Sequence, residues 1–282
     1  LGIAETSPEE EKPAGIPLNE APVWQRALIM AAGAFMNFLL GFVVMVILIA
    51  AQSEPITSRV IYAIDDGALC GQTGLEAGDQ VLAVNGRRCF VANDMLYELM
   101  RTEDYAARFT VLRGGEKVEL PCVRFDTWQD DSGETHMSLG FTVYGIRKTP
   151  ANVVKEAWNS VLYYGRIIFT SLMDLLRGRE SINDLSGPVG IVTAIGQAAS
   201  YGWQDLLQLL VLITVNLGIF NLLPFPALDG GKVVFLLIEG VTGHAVPEKI
   251  QSGLTLAAFA LLFGLMLFAT YNDILRLITG AV

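Results

Sequence analysis

Charge is scarce in this 282-residue sequence: Asp, Glu, Lys and Arg make up 17% of it, against roughly 25% in an ordinary soluble domain. Basic residues are scarcer still, with 19 Lys and Arg against 29 Asp and Glu and a formal net charge of −10. Phosphate recognition needs a concentrated Lys/Arg surface, so nucleic acid is excluded as a partner. Glu5, Glu9, Glu10 and Glu11 crowd the start, which rules out a polybasic lipid-binding patch there. Cys70, Cys89 and Cys122 are an odd set without metal-ligand spacing. No disulfide framework follows from them, although one bridge stays open. The two histidines are His136, in the polar stretch SGETHMS, and His244, just after Gly243 in VTGHAVPEK. The first reads as a solvated loop residue and the second as an interfacial turn residue.

What the sequence has is apolar: 52% hydrophobic residues and a mean hydropathy of +0.46. Residues 1–23 read as an acidic loop. A transmembrane helix is expected at 24–51, where Trp24, Gln25 and Arg26 lead into an unbroken apolar run from Ala27 to Ala51, and about 20 such residues suffice to cross the hydrocarbon core. Preceded by acidic residues and too long, it does not read as a cleavable signal peptide. Within it Gly33 and Asn37 are spaced i, i+4 and share a face, where a small residue admits a neighbouring helix and an amide can hydrogen-bond across the gap. Two more spans are expected at 204–223 and 253–271. Residues 152–177 alternate apolar and polar residues at helical spacing but carry Lys155, Glu156, Arg166 and Asp174. That suits an amphipathic helix in the membrane interface, with its aromatics at headgroup level. Residues 178–203 read as a loop, including the structural turn Ser186-Gly187-Pro188, and a small-residue helix.

Between the first span and the amphipathic helix, residues 54–145 have the polarity of a soluble domain. SRVIYAI and RFTVLRGGEKVELPCVRF are strand-like, Gly114-Gly115 marks a hairpin turn, and Ala92–Met100 is a short helix. GALCGQTGLEAGDQVLAVNG resembles the PDZ signature, matching at Gly74, Leu75, Gly78, Asp79, Val81, Leu82, Val84, Asn85 and Gly86. The resemblance implies a domain that captures a peptide C-terminus by strand addition, or one that acts as a steric plug over a membrane site. The fold class expected is therefore a polytopic α-helical membrane protein with one inserted α+β PDZ domain.

Asp229 is the residue that points to chemistry. It lies in the turn-and-helix segment 224–250, where Pro224 and Pro226 end the preceding span, and an ionisable residue on irregular backbone near membrane depth is a functional-site candidate. The alternative is that Asp229 caps the next apolar helix, Lys232–Val241. NLLPFPALDGG, Asn221–Gly231, closely resembles the Asn-x-x-Pro-x-Pro-x-Leu-Asp-Gly signature of the site-2 protease family, the intramembrane zinc metalloproteases. The resemblance implies Zn(2+) as cofactor, Asp229 as its third protein ligand, and Asn221 in holding substrate or stabilising the transition state. It also aligns Gly33 and Asn37 with a Gly-Pro-x-x-Asn pattern near substrate, here without the Pro.

The family's His-Glu-x-x-His motif, whose two imidazoles bind zinc and whose Glu activates water, has no counterpart among these residues. The sequence opens on Leu1 rather than Met, and its first stretch resembles a region downstream of the zinc-binding helix. The expectation is a fragment, inactive by itself, of an endopeptidase that sits in the lipid bilayer as a multi-pass protein of the cell inner or plasma membrane. It would cut transmembrane segments of single-pass membrane protein substrates, such as anti-sigma factors or remnant signal peptides. The resemblance places residues 1–23 in the cytoplasm and the PDZ domain outside. The rival reading is a non-catalytic PDZ-containing membrane adaptor. A permease is disfavoured, because no repeated pair of broken helices occurs in corresponding halves.

Overall fold

The computed structural model describes residues 21–279 apart from Glu103, Ser132 and Glu180. Most of the expected N-terminal acidic loop lies outside the described residues. Helix α1 (Val23–Ala51) leads into a sheet region, and the chain then returns to helix as α4 (Pro150–Leu176), α5 (Pro188–Tyr201), α6 (Trp203–Leu222), α7 (Asp229–Thr242) and α8 (Glu248–Thr279). Among the described residues α1, α6 and α8 are long and apolar enough to cross a membrane. Each contains a stretch long and apolar enough to sit in lipid. By packing, the chain divides into two units, residues 1–35 with 220–262 and residues 36–219 with 263–282.

The larger unit contains the sheet region. Its strands are β1 (Ile56–Ile64), β2 (Gln80–Val84), β3 (Arg87–Arg88), β4 (Ala106–Arg113), β5 (Glu116–Arg124), β6 (Asp126–Gln129), β7 (Thr135–Ser138) and β8 (Phe141–Ile146), with helices α2 (Leu69–Gln72) and α3 (Ala92–Met100) between them. The main sheet runs β5-β4-β2-β1-β8 with β3 on β2, all antiparallel, and β6 pairs β7 in a separate hairpin. Ile61, Leu75, Val81, Val84, Phe109 and Val111 form its core. Burying them against Met95 and Leu99 of α3 closes one face of the sheet. Asn85 (φ 50°) and Gly86 (φ 77°) make the β2–β3 turn, a left-handed pair that Asn-Gly tolerates.

The residues of the Gly-Leu…Gly-Asp signature organise this region. Leu75 and Asp79 are fully buried. Arg113 grips the Asp79 carboxylate bidentately, with Nε–Oδ1 and Nη2–Oδ2 both 2.7 Å, and donates from Nη2 to the Gly74 carbonyl at 2.7 Å. Asp79 Oδ2 also accepts from Glu76 N–H at 3.0 Å. The carboxylate thus spends its lone pairs inside the domain, and its role is structural.

In the same unit, α4 starts with Pro150 at its first position and with Thr149 Oγ1 accepting from Asn152 N–H, two favourable start signals. Val153, Ala157, Val161, Tyr164 and Ile168 recur at helical spacing and bury one face of α4 against Val44, Met45 and Leu48 of α1 and Val211 and Val215 of α6. Trp158 and Phe169 remain exposed. Helices α1 and α6 approach closely at Gly41, where an added Cβ would lie 3.1 Å from Thr214 Oγ1 and Val215 Cγ2, and at Gly218, 3.0 Å from the Phe38 ring. The Ser186-Gly187-Pro188 turn is pinned to the end of α8: Asp273 Oδ2 accepts from Gly187 N–H at 2.9 Å and Gly190 N–H at 2.7 Å. It thereby satisfies orphan donors at the start of α5. A Cβ on Gly187 would meet the Thr270 nitrogen at 2.7 Å, so this turn needs glycine for contact distance.

Candidate functional site

The candidate site belongs to the smaller unit. Helix α6 ends at Leu222, and the Leu223–Leu228 stretch folds back on the start of α7. Phe225 N–H donates to Leu223 O at 2.7 Å, Leu228 N–H to Phe225 O at 2.9 Å, and Gly231 N–H to Leu228 O at 3.1 Å. Pro224 and Pro226 bring no N–H of their own, so this tight fold leaves two fewer donors to satisfy. Thr255 Oγ1 of α8 donates to Pro226 O at 3.2 Å and ties the loop down. The loop lies against Gly230 and Gly231, where an added Cβ would come within 2.3 Å of Leu223 O and 2.2 Å of Phe225 O, respectively.

This fold-back puts Asp229 at the first residue of α7, one past the N-cap Leu228, which has extended backbone and no capping side-chain bond. The capping alternative is therefore corrected: among the described residues the Asp229 carboxylate accepts no hydrogen bond from the helix start. Its one ion pair is with Lys232 Nζ, 3.7 Å from Oδ1, and its side chain is 37% exposed. A carboxylate at a helix start is favoured by the helix dipole while its oxygens stay available to a ligand. Gly33 of α1 faces it, and a Cβ there would lie 3.6 Å from Asp229 Oδ2. Arg26, near the start of α1, pairs with Glu239 of α7, both four-fifths or more buried, and fixes these two helices to each other. Asn221 sits in the last turn of α6, half-buried, and Asn37 lies one helical turn beyond Gly33, half-buried as well. Neither amide makes a side-chain hydrogen bond among the described residues, so the expected interhelical bond from Asn37 is not formed.

The histidines are elsewhere. His244 is exposed, and its Nδ1 lies 2.9 Å from Thr242 O behind the left-handed Gly243. His136 is in strand β7, not in a loop: it stacks on Trp128 with ring centroids 4.8 Å apart, and its Nε2 lies 2.9 Å from Asp130 Oδ2. Among the described residues, Asp130, Glu134 and His136 are the one grouping of three potential metal ligands close enough to share an ion. They surround an exposed hairpin tip that does not include Asp229. All three cysteines are free thiols, which closes the question of a bridge.

The signals that sequence reading missed are steric and long-range. Gly41 and Gly218 look like any glycines in apolar runs, and Asp273 becomes visible only when Gly187 is brought to it. The doubled glycine after Asp229 did carry a signal, because two helix-weakening residues inside a helix start imply close approach of backbone.

The model of the family described as Peptidase family M50 matches residues 2–265. The chain is 32% identical over 256 residues to the regulator of sigma-W protease RasP of Bacillus subtilis, covering 91% of this chain and 60% of that protein. It is 34% identical over 251 residues to the zinc metalloprotease RasP of Geobacillus kaustophilus, covering 89% and 59%. The zinc metalloprotease RasP of Bacillus licheniformis is 32% identical over 256 residues, covering 90% and 60%. The chain thus spans about 60% of the length of these curated relatives.

Proposed function

Because the chain belongs to peptidase family M50, a zinc-dependent family, we propose that it is the greater part of an intramembrane zinc endopeptidase in which Asp229 is one of three protein ligands. The observation that carries this is the Asp229 carboxylate itself. It is anchored by the Pro224–Pro226 fold-back and, among the described residues, makes no hydrogen bond to its own helix and pairs with Lys232 at 3.7 Å. The chain's own residues fit one position of a zinc site. The two histidines contact Thr242 and Asp130 and not Asp229, and no His-Glu-x-x-His occurs in the sequence, so Asp229 is the ligand this chain offers. By itself the chain is inactive. Bound zinc would polarise the scissile carbonyl and acidify a water.

The remaining roles fall to this chain. Asn221 holds the substrate strand or its developing oxyanion by its unused amide. Gly33 leaves room beside Asp229 for an extended substrate backbone, and Asn37 offers a hydrogen bond on the same face. The substrate is the transmembrane segment of a single-pass protein, such as an anti-sigma factor or a remnant signal peptide, and the protein sits in the cell inner or plasma membrane as a multi-pass chain. The sheet region acts as a PDZ domain. Its edge strand β8, paired on one side by β1, offers a free edge for adding a peptide strand.

The test is made in the native-length protein, in membranes. Asp229→Asn should remove stoichiometric zinc, read by inductively coupled plasma mass spectrometry, and abolish cleavage of a single-pass reporter. Zinc retained at wild-type stoichiometry in Asp229→Asn would overturn the assignment. Zinc lost without any cleavage by the parent protein would favour the adaptor reading instead.

A further inference from the structure

Helix α3 of the sheet region and helix α4 meet through charge. Arg166 of α4 pairs with Asp94 of α3, and Asp174 of α4 pairs with Arg101 at the end of α3. Asp94 is fully buried and Asp174 is 2% exposed. Along α3 the acid comes first and the base second; along α4 the base comes first and the acid second. The two pairs are about 10 Å apart along α3 and about 12 Å apart along α4, at 1.5 Å per residue, so both close at once when the helices run in the same direction. Reversing one helix would set Asp94 against Asp174 and Arg101 against Arg166. The arrangement therefore encodes one direction and one register, the best-attested use of buried charge.

Further contacts reinforce the first pair. Arg166 also donates to the Arg88 carbonyl and lies over the Phe90 ring, while Asp94 Oδ2 accepts from the Phe90 and Val91 N–H groups at the start of α3. Between the pairs sits Glu98, 3% exposed, with Arg87 and Arg166 each 3.7 Å from its Oε1. Among the described residues that oxygen accepts no hydrogen bond, and Arg166 Nε, also buried, donates none.

We infer that this face is a direction-coded lock by which α4 holds the sheet region in a single orientation. The other face of α4 packs on α1 and α6 in an apolar cluster that also takes in Ile56 of β1, so the charged face is a second, directional attachment of the sheet region to the helical part of its unit. Given the protease reading above, the lock sets which face of the PDZ-like region a substrate meets. The lock itself stands on geometry that needs no catalysis.

The experiment is a spin-label distance measurement on the full chain in lipid nanodiscs, with labels at Ala151→Cys and Lys117→Cys in a Cys122→Ser background. The parent should give one narrow distance. Arg101→Asp should broaden it and add a longer component, and Arg101→Asp combined with Asp174→Arg should restore the narrow peak. Asp174→Asn, a substitution outside the sheet region, should broaden the distribution by itself. Glu98→Gln should leave the peak narrow. A narrow native distance in both Arg101→Asp and Asp174→Asn, or a charge swap that fails to restore it while circular dichroism shows the fold intact, would overturn the lock. Because no cleavage or zinc is read, loss of the protease reading would leave this result unaffected.

Discussion

Gly231 packs so tightly under Phe225 that a Cβ at this position would sit 2.2 Å from the Phe225 carbonyl oxygen. Neither Gly230 nor Gly231 has a positive φ, so the requirement is for space and not for unusual backbone. The obstacle is main chain, which cannot rotate away as a side chain can. Gly231→Ala should therefore cost at least the roughly 1–3 kcal/mol of ordinary overpacking, with Gly230→Ala similar. Gly33→Ala places its Cβ in ordinary contact with Asp229 Oδ2, at 3.6 Å, and should leave stability nearly unchanged. Thermal unfolding of the three variants in one detergent checks the contrast; equal melting temperatures would contradict the fold-back.

On the proposed reading, Asn221 acts in the chemistry and not in metal binding. In the native-length protein Asn221→Ala should keep zinc while lowering the cleavage rate by about 10²–10³, the usual loss for one oxyanion donor. A variant that loses zinc along with activity would make Asn221 a structural residue of the loop. Measuring metal content and turnover on the same preparation decides between them.

The sequence exposed the elements whose signal is local. Three apolar runs stand out because a helix in lipid must be apolar on every side, and Gly114-Gly115 marks its hairpin because two successive left-handed residues favour glycine. The order of the strands was not legible. Strand β8 pairs with β1 across nearly the whole sheet region, from Ile56↔Ile146 to Ile64↔Phe141, and nothing in either strand names its partner. Of the candidate site, Asp229 was visible because Pro224 and Pro226 break a span beside it, whereas its lack of a capping bond is a matter of geometry. Arg166 and Asp174 first read as too much charge for a spanning helix. Their pairing with Asp94 and Arg101 explains how α4 buries that charge.

Glu98 gives the lock a pH dependence with a definite sign. Burial raises its carboxyl above the ordinary value, against the lowering pull of Arg87, Arg166 and Arg101 and with a smaller upward push from Asp94. A raised carboxylate pKa means the folded state binds the proton more readily, so the charged form costs stability at neutral pH and the cost disappears as pH falls through the raised value. Glu98→Gln should therefore be more stable than the parent at pH 7. The advantage should shrink as the pH is lowered and be gone below the ordinary glutamate value of about 4.3. Asp174 moves oppositely, because the hydrogen bond from Arg101 holds it below the ordinary range; its contribution is present at neutral pH and lost only in stronger acid. Unfolding midpoints of Glu98→Gln and parent across that range should converge, and parallel curves would show that Glu98 is not buried in charged form.

The cysteines report on the sheet core without any ligand. Cys70 and Cys89 are 1% and 0% exposed, and burial raises the Cys70 thiol and pushes that of Cys89 up to about 12. Disulfide exchange needs the thiolate and access to it, so both should be inert in the folded chain. Cys122, on strand β5, is exposed. At pH 8 a thiol-specific disulfide reagent should therefore modify one thiol per folded chain and three after denaturation. Glu98→Gln should retain the single-thiol pattern, since the core that shields Cys89 is not built on the charge of Glu98. Arg166→Met should speed modification of Cys89, because Arg166 donates to the Arg88 carbonyl beside it and stacks over the neighbouring Phe90. Two or three thiols reacting at the native rate of Cys122 would mean that the sheet does not bury Leu75, Val81 and Phe109 around them as described.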